Sequence, residues 1–306
     1  MSCFQILGKI VVVPYIESSI CPACRYLSPE GGRIMWHRKP VVAGAFYPAE
    51  KSELQHVITR YLDDADASQV QGEVVAVISP HAGYIYSGPV AAYSYRLLKE
   101  LKPEVVIVLA PSHRGRFNGA SVIPGGEYET PLGNVKIDET IGRKLVEKPH
   151  FSFLKEAHQM EHSLEVQVPF LQSVIDSFTL VPVVIGTIDL DVCRELAGGI
   201  AEAIDGDARK IAIVISTDLS HYHSYESAKS LDAIFMDGLR TFSEQKIKEA
   251  LKHGAEACGE GPVLTGVMLS KKLGAGRVEI LKYATSGDTA GDKNQVVGYL
   301  SAAIMR

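Results

Sequence analysis

Short apolar runs, separated by stretches with helical periodicity, constrain this fold more than any other feature of the sequence. Residues 74–79, 105–110, 178–185 and 210–216 are rich in Val, Ile and Leu. Each is too short for an ordinary helix and too uniformly apolar for a strand with one wet face. Around them the spacing predicts helices over 50–65, 89–101, 139–147, 163–175, 190–204, 224–242, 245–253 and 262–273. In the first of these, Leu54, Val57, Ile58 and Leu62 recur at helical intervals. Shorter strands are expected at 120–123 and 133–137, and two more, 277–284 and 295–304, close the chain. Strands alternating with helices at this spacing require right-handed crossovers. They imply an α/β three-layer sandwich with a mainly parallel, mixed sheet covered on both faces.

No fixed-period repeat, linker or low-complexity tract follows residue 35, so residues 35–306 read as a single α/β domain. Residues 1–34 differ. They hold three of the five cysteines (Cys3, Cys21 and Cys24) and a Ser-Pro-Glu-Gly-Gly stretch ending at Gly32. They read as an N-terminal extension, with Met35 the natural start of the fold. Cys21 and Cys24 have zinc-ligand spacing, but no second CxxC completes a four-ligand site.

Composition removes several classes. A chain with 46% hydrophobic and 22% charged residues is neither disordered nor a coiled coil. Its net charge of −5 disfavours nucleic acid as a main partner. No segment approaches the roughly 20 apolar residues that span a bilayer. The early run at 10–16 is short, carries Pro14 and lacks the pattern of a signal peptide. Five sparse cysteines suit a reducing compartment. The expectation is a cytoplasmic protein without a membrane partner.

In open α/β sheets, ligands bind beyond the carboxyl ends of the strands. Three apolar runs deliver a histidine there: Pro80-His81, Pro111-Ser112-His113 and Thr217-Asp218-Leu219-Ser220-His221. If these strands are neighbours, the imidazoles converge. Of His221 and His223, two residues apart, one is expected to enter the site. His37, His56, His150, His158 and His253 lack such a context and read as ordinary surface or core residues. Glu161-His162 is expected at a helix start, where the pair either orients a ligand or simply caps. Cys258 precedes Gly259-Glu260-Gly261-Pro262, an expected helix N-terminus whose dipole favours a thiolate. The alternative is a small buried filler, the reading given to Cys193. Imidazoles with one thiolate suit Fe(II), copper or Zn(II). Magnesium and calcium prefer oxygen ligands. The phosphate loop GxxxxGK[ST], a GxGxxG opening a helix, and the GxSxG elbow are all absent from the sequence.

Together these pieces resemble the Memo family, the mediators of receptor-driven cell motility and their archaeal and bacterial relatives. The resemblance rests on Ala43-Gly44-Ala45-Phe46-Tyr47-Pro48, Pro80-His81-Ala82-Gly83-Tyr84-Ile85-Tyr86-Ser87-Gly88, Ala110-Pro111-Ser112-His113 and Tyr128-Glu129-Thr130-Pro131-Leu132-Gly133. It continues through Glu161-His162-Ser163-Leu164-Glu165, Ser216-Thr217-Asp218-Leu219-Ser220-His221 and Ala257-Cys258-Gly259. It implies a fold similar to class III extradiol dioxygenases, which hold a non-haem Fe(II) with two histidines and a carboxylate. Carried over residue by residue, it implies His81 and His113 as metal ligands, with Cys258 where the dioxygenases have their glutamate. His221, with Asp218 beside it, falls at the additional pocket histidine, and Glu161 and His162 lie near the pocket. The cysteine departs from the dioxygenase pattern and puts ring cleavage of a catechol in doubt. Glu260 is a second source of a carboxylate ligand.

Three functions are therefore expected, in order. The first is a redox-type protein holding Fe(II) or copper, with Zn an option. In it His221 and Asp218 serve acid/base work on a small molecule or peptide. The resemblance further implies a modification pathway with a radical-SAM protein and an AMMECR-type partner. The second is a non-catalytic module for phosphotyrosine-type peptides, gripped by an exposed rim of Phe46, Tyr47, Tyr84 and Tyr86. The third is a cysteine hydrolase pairing Cys258 with a histidine.

Overall fold

Four adjacent strands with almost no wet residues form the centre of the molecule, as the apolar runs require. The structure, a computed structural model, describes residues 35–67 and 70–306. In chain order these give β1 (Trp36–Arg38), α1 (Lys51–Asp64), β2 (Val74–Ser79), α2 (Tyr84–Leu101), β3 (Val105–Pro111), β4 (Ala120–Val122), β5 (Gly126–Thr130), β6 (Gly133–Lys136) and α3 (Glu139–Val146). There follow β7 (Phe151–Ser152), α4 (Lys155–Gln159), α5 (Gln167–Val174), β8 (Thr179–Ile185), α6 (Leu190–Ile204), β9 (Ile211–Ser216) and β10 (Asp218–His223). The chain ends with α7 (Tyr225–Arg240), α8 (Glu244–Lys252), α9 (Glu260–Lys272), β11 (Arg277–Thr285), α10 (Ser286–Thr289) and β12 (Val296–Met305). Residues Met35–Arg306 form one compact unit. Residues 1–34, with Cys21 and Cys24, lie outside the described residues.

The main sheet has nine strands in the order β10-β12-β2-β9-β3-β8-β4-β7, with β11 paired to β12. β2, β9, β3 and β8 are mutually parallel, and β12 joins them antiparallel. A smaller sheet of β1, β5 and β6 completes the strands. Alternate residues of the central strands serve two cores. Val77, Val106, Val108, Ala110 and Val214 pack with Leu54, Ile58, Ala92 and Tyr95 from α1 and α2. On the other face α9 lies so close that a Cβ at Gly266 would meet Ile215 at 2.3 Å. Both faces of the sheet are therefore covered by helices, which is the expected mixed α/β three-layer arrangement.

Topology then places the chemistry. β12 pairs with β11 along one edge. Along its other edge it pairs with β2 near its C-terminal end and with β10 near its N-terminal end. β10 therefore continues beyond the carboxyl end of β2, beside His81. β9 lies between β2 and β3, so the carboxyl ends of the three histidine-bearing runs are neighbours.

Three local differences from the sequence reading have physical causes. α2 starts at Tyr84, five residues before Pro89, because the Phe46 carbonyl accepts the Tyr84 N–H at 2.7 Å and holds the first turn from outside. α5 starts at Gln167, with Glu161-His162 in the turns ahead of it. There Gln167 and Val168 donate to the carbonyls three residues back, and Glu161 and Glu165 accept the N–H groups of His113 and Val42 from elsewhere in the chain. Residues 218–223, read as a loop, form a bulged strand with Tyr222 at φ 61°.

Candidate metal centre

Three imidazoles arrive on different turns, and two of them are held through Nδ1 by another side chain. His81 follows β2 and is 1% exposed. Its Nδ1 lies 2.8 Å from Ser216 Oγ at the end of β9. The Ser216 hydroxyl is itself bound by Gln167 Nε2 at 2.9 Å and donates to the Ser163 carbonyl. His113 follows β3, and its Nδ1 lies 2.9 Å from Glu161 Oε1. The His81 and His113 rings meet edge to face, 5.2 Å between centroids. His162 closes the group at 4.5 Å from His113 and 5.6 Å from His81, and Phe46 lies against it at 4.9 Å.

Cys258 completes the cluster from the loop ahead of α9. Its Sγ is 3.1 Å from His81 Nε2 and accepts the Asp218 N–H at 3.2 Å. The loop is docked tightly onto β9. The Gly259 N–H donates to Thr217 Oγ1 at 3.0 Å, and a Cβ at Gly259 would lie 2.3 Å from the Ser216 carbonyl oxygen. Only glycine permits that approach. A donor atom each from His81, His113 and Cys258 lies within 4.8 Å of the others, and so does one each from His113, Glu161 and His162.

The donor chemistry fits a transition-metal ion. Serine and glutamate occupy the two Nδ1 atoms, which leaves both Nε2 atoms for a ligand. This is the second-partner arrangement that orients metal-binding histidines. Burial, then His113 and His162, hold His81 well below the ordinary histidine pKa. Burial and His113 lower His162 to about 4. Both rings are therefore neutral and carry a free lone pair. Burial alone would raise Glu161, but its bonds to His113 and to backbone N–H groups bring it down to about 2. It is an anion beside His113 throughout the physiological range.

Two expectations about charge are corrected. The Cys258 thiol sits just ahead of the α9 N-terminus, yet burial and the neighbouring Asp218 push its pKa up, not down. Desolvation outweighs the helix dipole here, so the thiolate needs a cation beside it. Asp218 also belongs to His81 and not to His221: its Oδ1 accepts the His81 N–H at 2.7 Å and its Oδ2 lies 3.9 Å from His81 Nε2. Burial raises Asp218 to about 7, against the opposing bonds from the His81 and Ala82 backbone.

The remaining residues divide cleanly. The His221 N–H donates to Glu256 at 3.1 Å, while the His223 ring pairs with the same carboxylate at 2.8 Å. Glu260 holds Lys248 Nζ at 2.5 Å and belongs to neither donor group, so its carboxylate is committed to that cation. The exposed aromatic rim fails for two of its members. Tyr47 and Tyr84 are each 3% exposed; their hydroxyls donate to Glu165 and to the Val166 carbonyl at 2.6 Å each. Their rings pack inward because the segment around Phe46 folds over the start of α2. Tyr86 stays exposed. Cys193 is fully buried core. His37 and His150 pair with surface glutamates. Sequence reasoning missed Ser216, Gln167 and Thr217. The first and last lie in a motif already noted, but nothing in the pattern says which imidazole or loop they hold.

A family profile described as "Memo-like protein" matches residues 38–303. The chain is 38% identical over 276 residues to a "MEMO1 family protein" of Methanobrevibacter smithii, covering 86% of this chain and 98% of the relative. It is 41% identical over 274 residues to another of that description from Ignicoccus hospitalis, covering 86% and 96%. Among solved structures it is similar to an uncharacterized protein, JW3007, of Escherichia coli K12. That likeness has a TM-score of 0.53 at 16% identity and covers 76% of this chain and all of the other; it speaks for the fold alone. Among the described residues, no helix is long and apolar enough to cross a membrane.

Proposed function

Because the chain belongs to the family of Memo-like proteins, we propose that it is a metal-binding protein of redox type. Fe(II) or copper would be held by His81, His113 and Cys258. One observation carries this reading: two imidazoles, each with Nδ1 fixed by another side chain and Nε2 left for a ligand, share a donor cluster with the half-buried Cys258 thiol. The mixed nitrogen and sulfur set suits Fe(II) and copper, admits zinc, and disfavours magnesium and calcium. When bound, such an ion supplies Lewis-acid chemistry and, for iron or copper, one-electron chemistry.

The chain's own residues do the rest. Ser216 and Glu161 fix the two rings. Asp218, 3.9 Å from His81 Nε2, and His221 on β10 are the proton carriers of this proposal. Phe46 and His162 wall the cluster on one side. The substrate is a small molecule or a peptide segment. In this proposal the protein works in the cytoplasm, a reducing compartment that its sparse cysteines suit, and the resemblance implies a modification pathway with a radical-SAM protein and an AMMECR-type partner.

The peptide-module reading loses support with the burial of Tyr47 and Tyr84. The hydrolase reading keeps one observation, the 3.1 Å separation of Cys258 Sγ from His81 Nε2. Iodoacetamide labelling at neutral pH separates it from the metal reading: rapid labelling that added metal does not prevent favours the hydrolase. The metal reading is tested by elemental analysis after anaerobic purification. A near-stoichiometric transition metal, lost in Cys258→Ala, is expected. A metal-free wild type that takes up no added Fe(II) or copper would sink it.

A further inference from the structure

A second cavity opens on the same edge of the sheet as the histidine cluster. It is a groove of about 690 Å³ lined by Arg116, Phe117, Asn118, Thr187, Ile188 and Lys248, among others. That volume is typical of small-molecule sites. Two short chain paths link the groove to the cluster. Arg116 follows His113 by three residues, and Glu260, which holds the groove's Lys248, follows Cys258 by two. Three residues of chain reach at most about 11 Å, so the Arg116 backbone lies within that distance of His113.

The groove has an apolar wall and one cation that no carboxylate among the described residues engages. The Phe117 ring packs over Gly186, where a Cβ would meet it at 2.5 Å, and Ile188 is 45% exposed. Lys248 is engaged by Glu260 and by the Ile188 carbonyl. Asp189 accepts the Asp191 and Val192 N–H groups and so caps α6. Arg116 is exposed and has no ion-pair partner among the described residues. Arg114, two residues earlier, also pairs with no carboxylate among them; its Nε donates to the Met160 carbonyl. In a chain of net charge −5, two unpaired arginines beside His113 make a local anion-attracting field.

We propose that this groove binds the apolar body of a small molecule ending in a carboxylate or phosphate, with Arg116 taking the anionic end. The reacting end then lies at the histidine cluster, a step that rests on the metal-centre reading above. A guanidinium meets either anion with two parallel hydrogen bonds, which a lysine cannot reproduce.

The test uses the full chain and three probes of one shape: hexanoate, hexyl phosphate and hexanol. Binding is followed by titration calorimetry, before and after chelator treatment. At least one anion is expected to bind in both states, at least about tenfold more tightly than hexanol. Arg116→Gln should erase that preference, and Arg116→Lys should recover only part of it. The stronger anion identifies the carboxylate or the phosphate as the natural end group. Equal binding of all three probes, or an unchanged preference in Arg116→Gln, would overturn the proposal. Because the readout persists without metal, failure here is distinct from failure of the metal centre.

Discussion

Replacing Arg38 by Met should destabilise the protein by about 3–5 kcal/mol, because it strands a buried carboxylate. Arg38 and Glu165 are 1% and 0% exposed. The guanidinium binds Glu165 and donates to the carbonyls of Glu161 at 2.7 Å, Lys39 at 2.9 Å and His158 at 3.3 Å. It also lies 4.8 Å from the centre of the Tyr128 ring. Methionine fills much of the channel. It leaves Glu165 with only the Tyr47 hydroxyl and the N–H groups of Val41 and Val42. An unpaired buried charge costs more than lost bonds to neutral carbonyls, so the charge sets the scale. About 4 kcal/mol is a quarter or more of a typical folding stability of 5–15 kcal/mol. For a domain of this size it lowers Tm by roughly 10 °C. Glu165→Gln should cost a similar amount, and the double variant, which leaves no stranded charge, less than the sum of the two. Urea unfolding of the four proteins at pH 7 measures the cycle. An Arg38→Met protein within 1 kcal/mol of wild type (against the ~3–5 expected), or strictly additive effects, would refute the reasoning.

Three further outcomes follow from particular contacts. Glu161→Gln should weaken metal binding by about 10–100-fold, because the partner of His113 Nδ1 loses its charge; competition with a chelator measures it. Burial, with Arg38 nearby, holds His158 down to about 3, so the unfolded chain binds the extra proton as pH falls below the ordinary histidine value. His158→Gln should therefore remove a stability loss of order 3 kcal/mol that wild type suffers between pH 7 and pH 4, seen as a flatter dependence of urea midpoint on pH. Gly259→Ala puts a Cβ 2.3 Å from the Ser216 carbonyl oxygen; a cost of about 1–3 kcal/mol and a lower metal content are expected, by thermal melting and elemental analysis.

Much of the layer order was legible because the central strands are buried on both faces and announce themselves as unbroken apolar runs. The positions of His81 and His113 followed from the rule that such strands present ligands at their carboxyl ends. What stayed hidden depended on contacts between distant segments. The start of α2 is set by the Phe46 carbonyl from another part of the chain, so Pro89 misplaced it. Tyr47 and Tyr84 looked like a rim because aromatic residues near a site carry no mark of burial. The Cys258 thiol was read from its helix terminus alone, whereas desolvation and Asp218 decide its proton. Asp218 was assigned to His221 by sequence proximity, but the end-to-end arrangement of β2 and β10 along β12 gives it to His81.

The proposed centre requires Cys258 and the two fixed imidazoles to bind one ion together. X-ray absorption at the metal edge of anaerobically purified protein tests this most directly. It should reveal one sulfur near 2.3 Å and two imidazole nitrogens near 2.0–2.1 Å, distances typical of such ligands at zinc, with the sulfur absent in Cys258→Ala. A wild-type spectrum without sulfur, or one that Cys258→Ala leaves unchanged, would contradict the proposed centre.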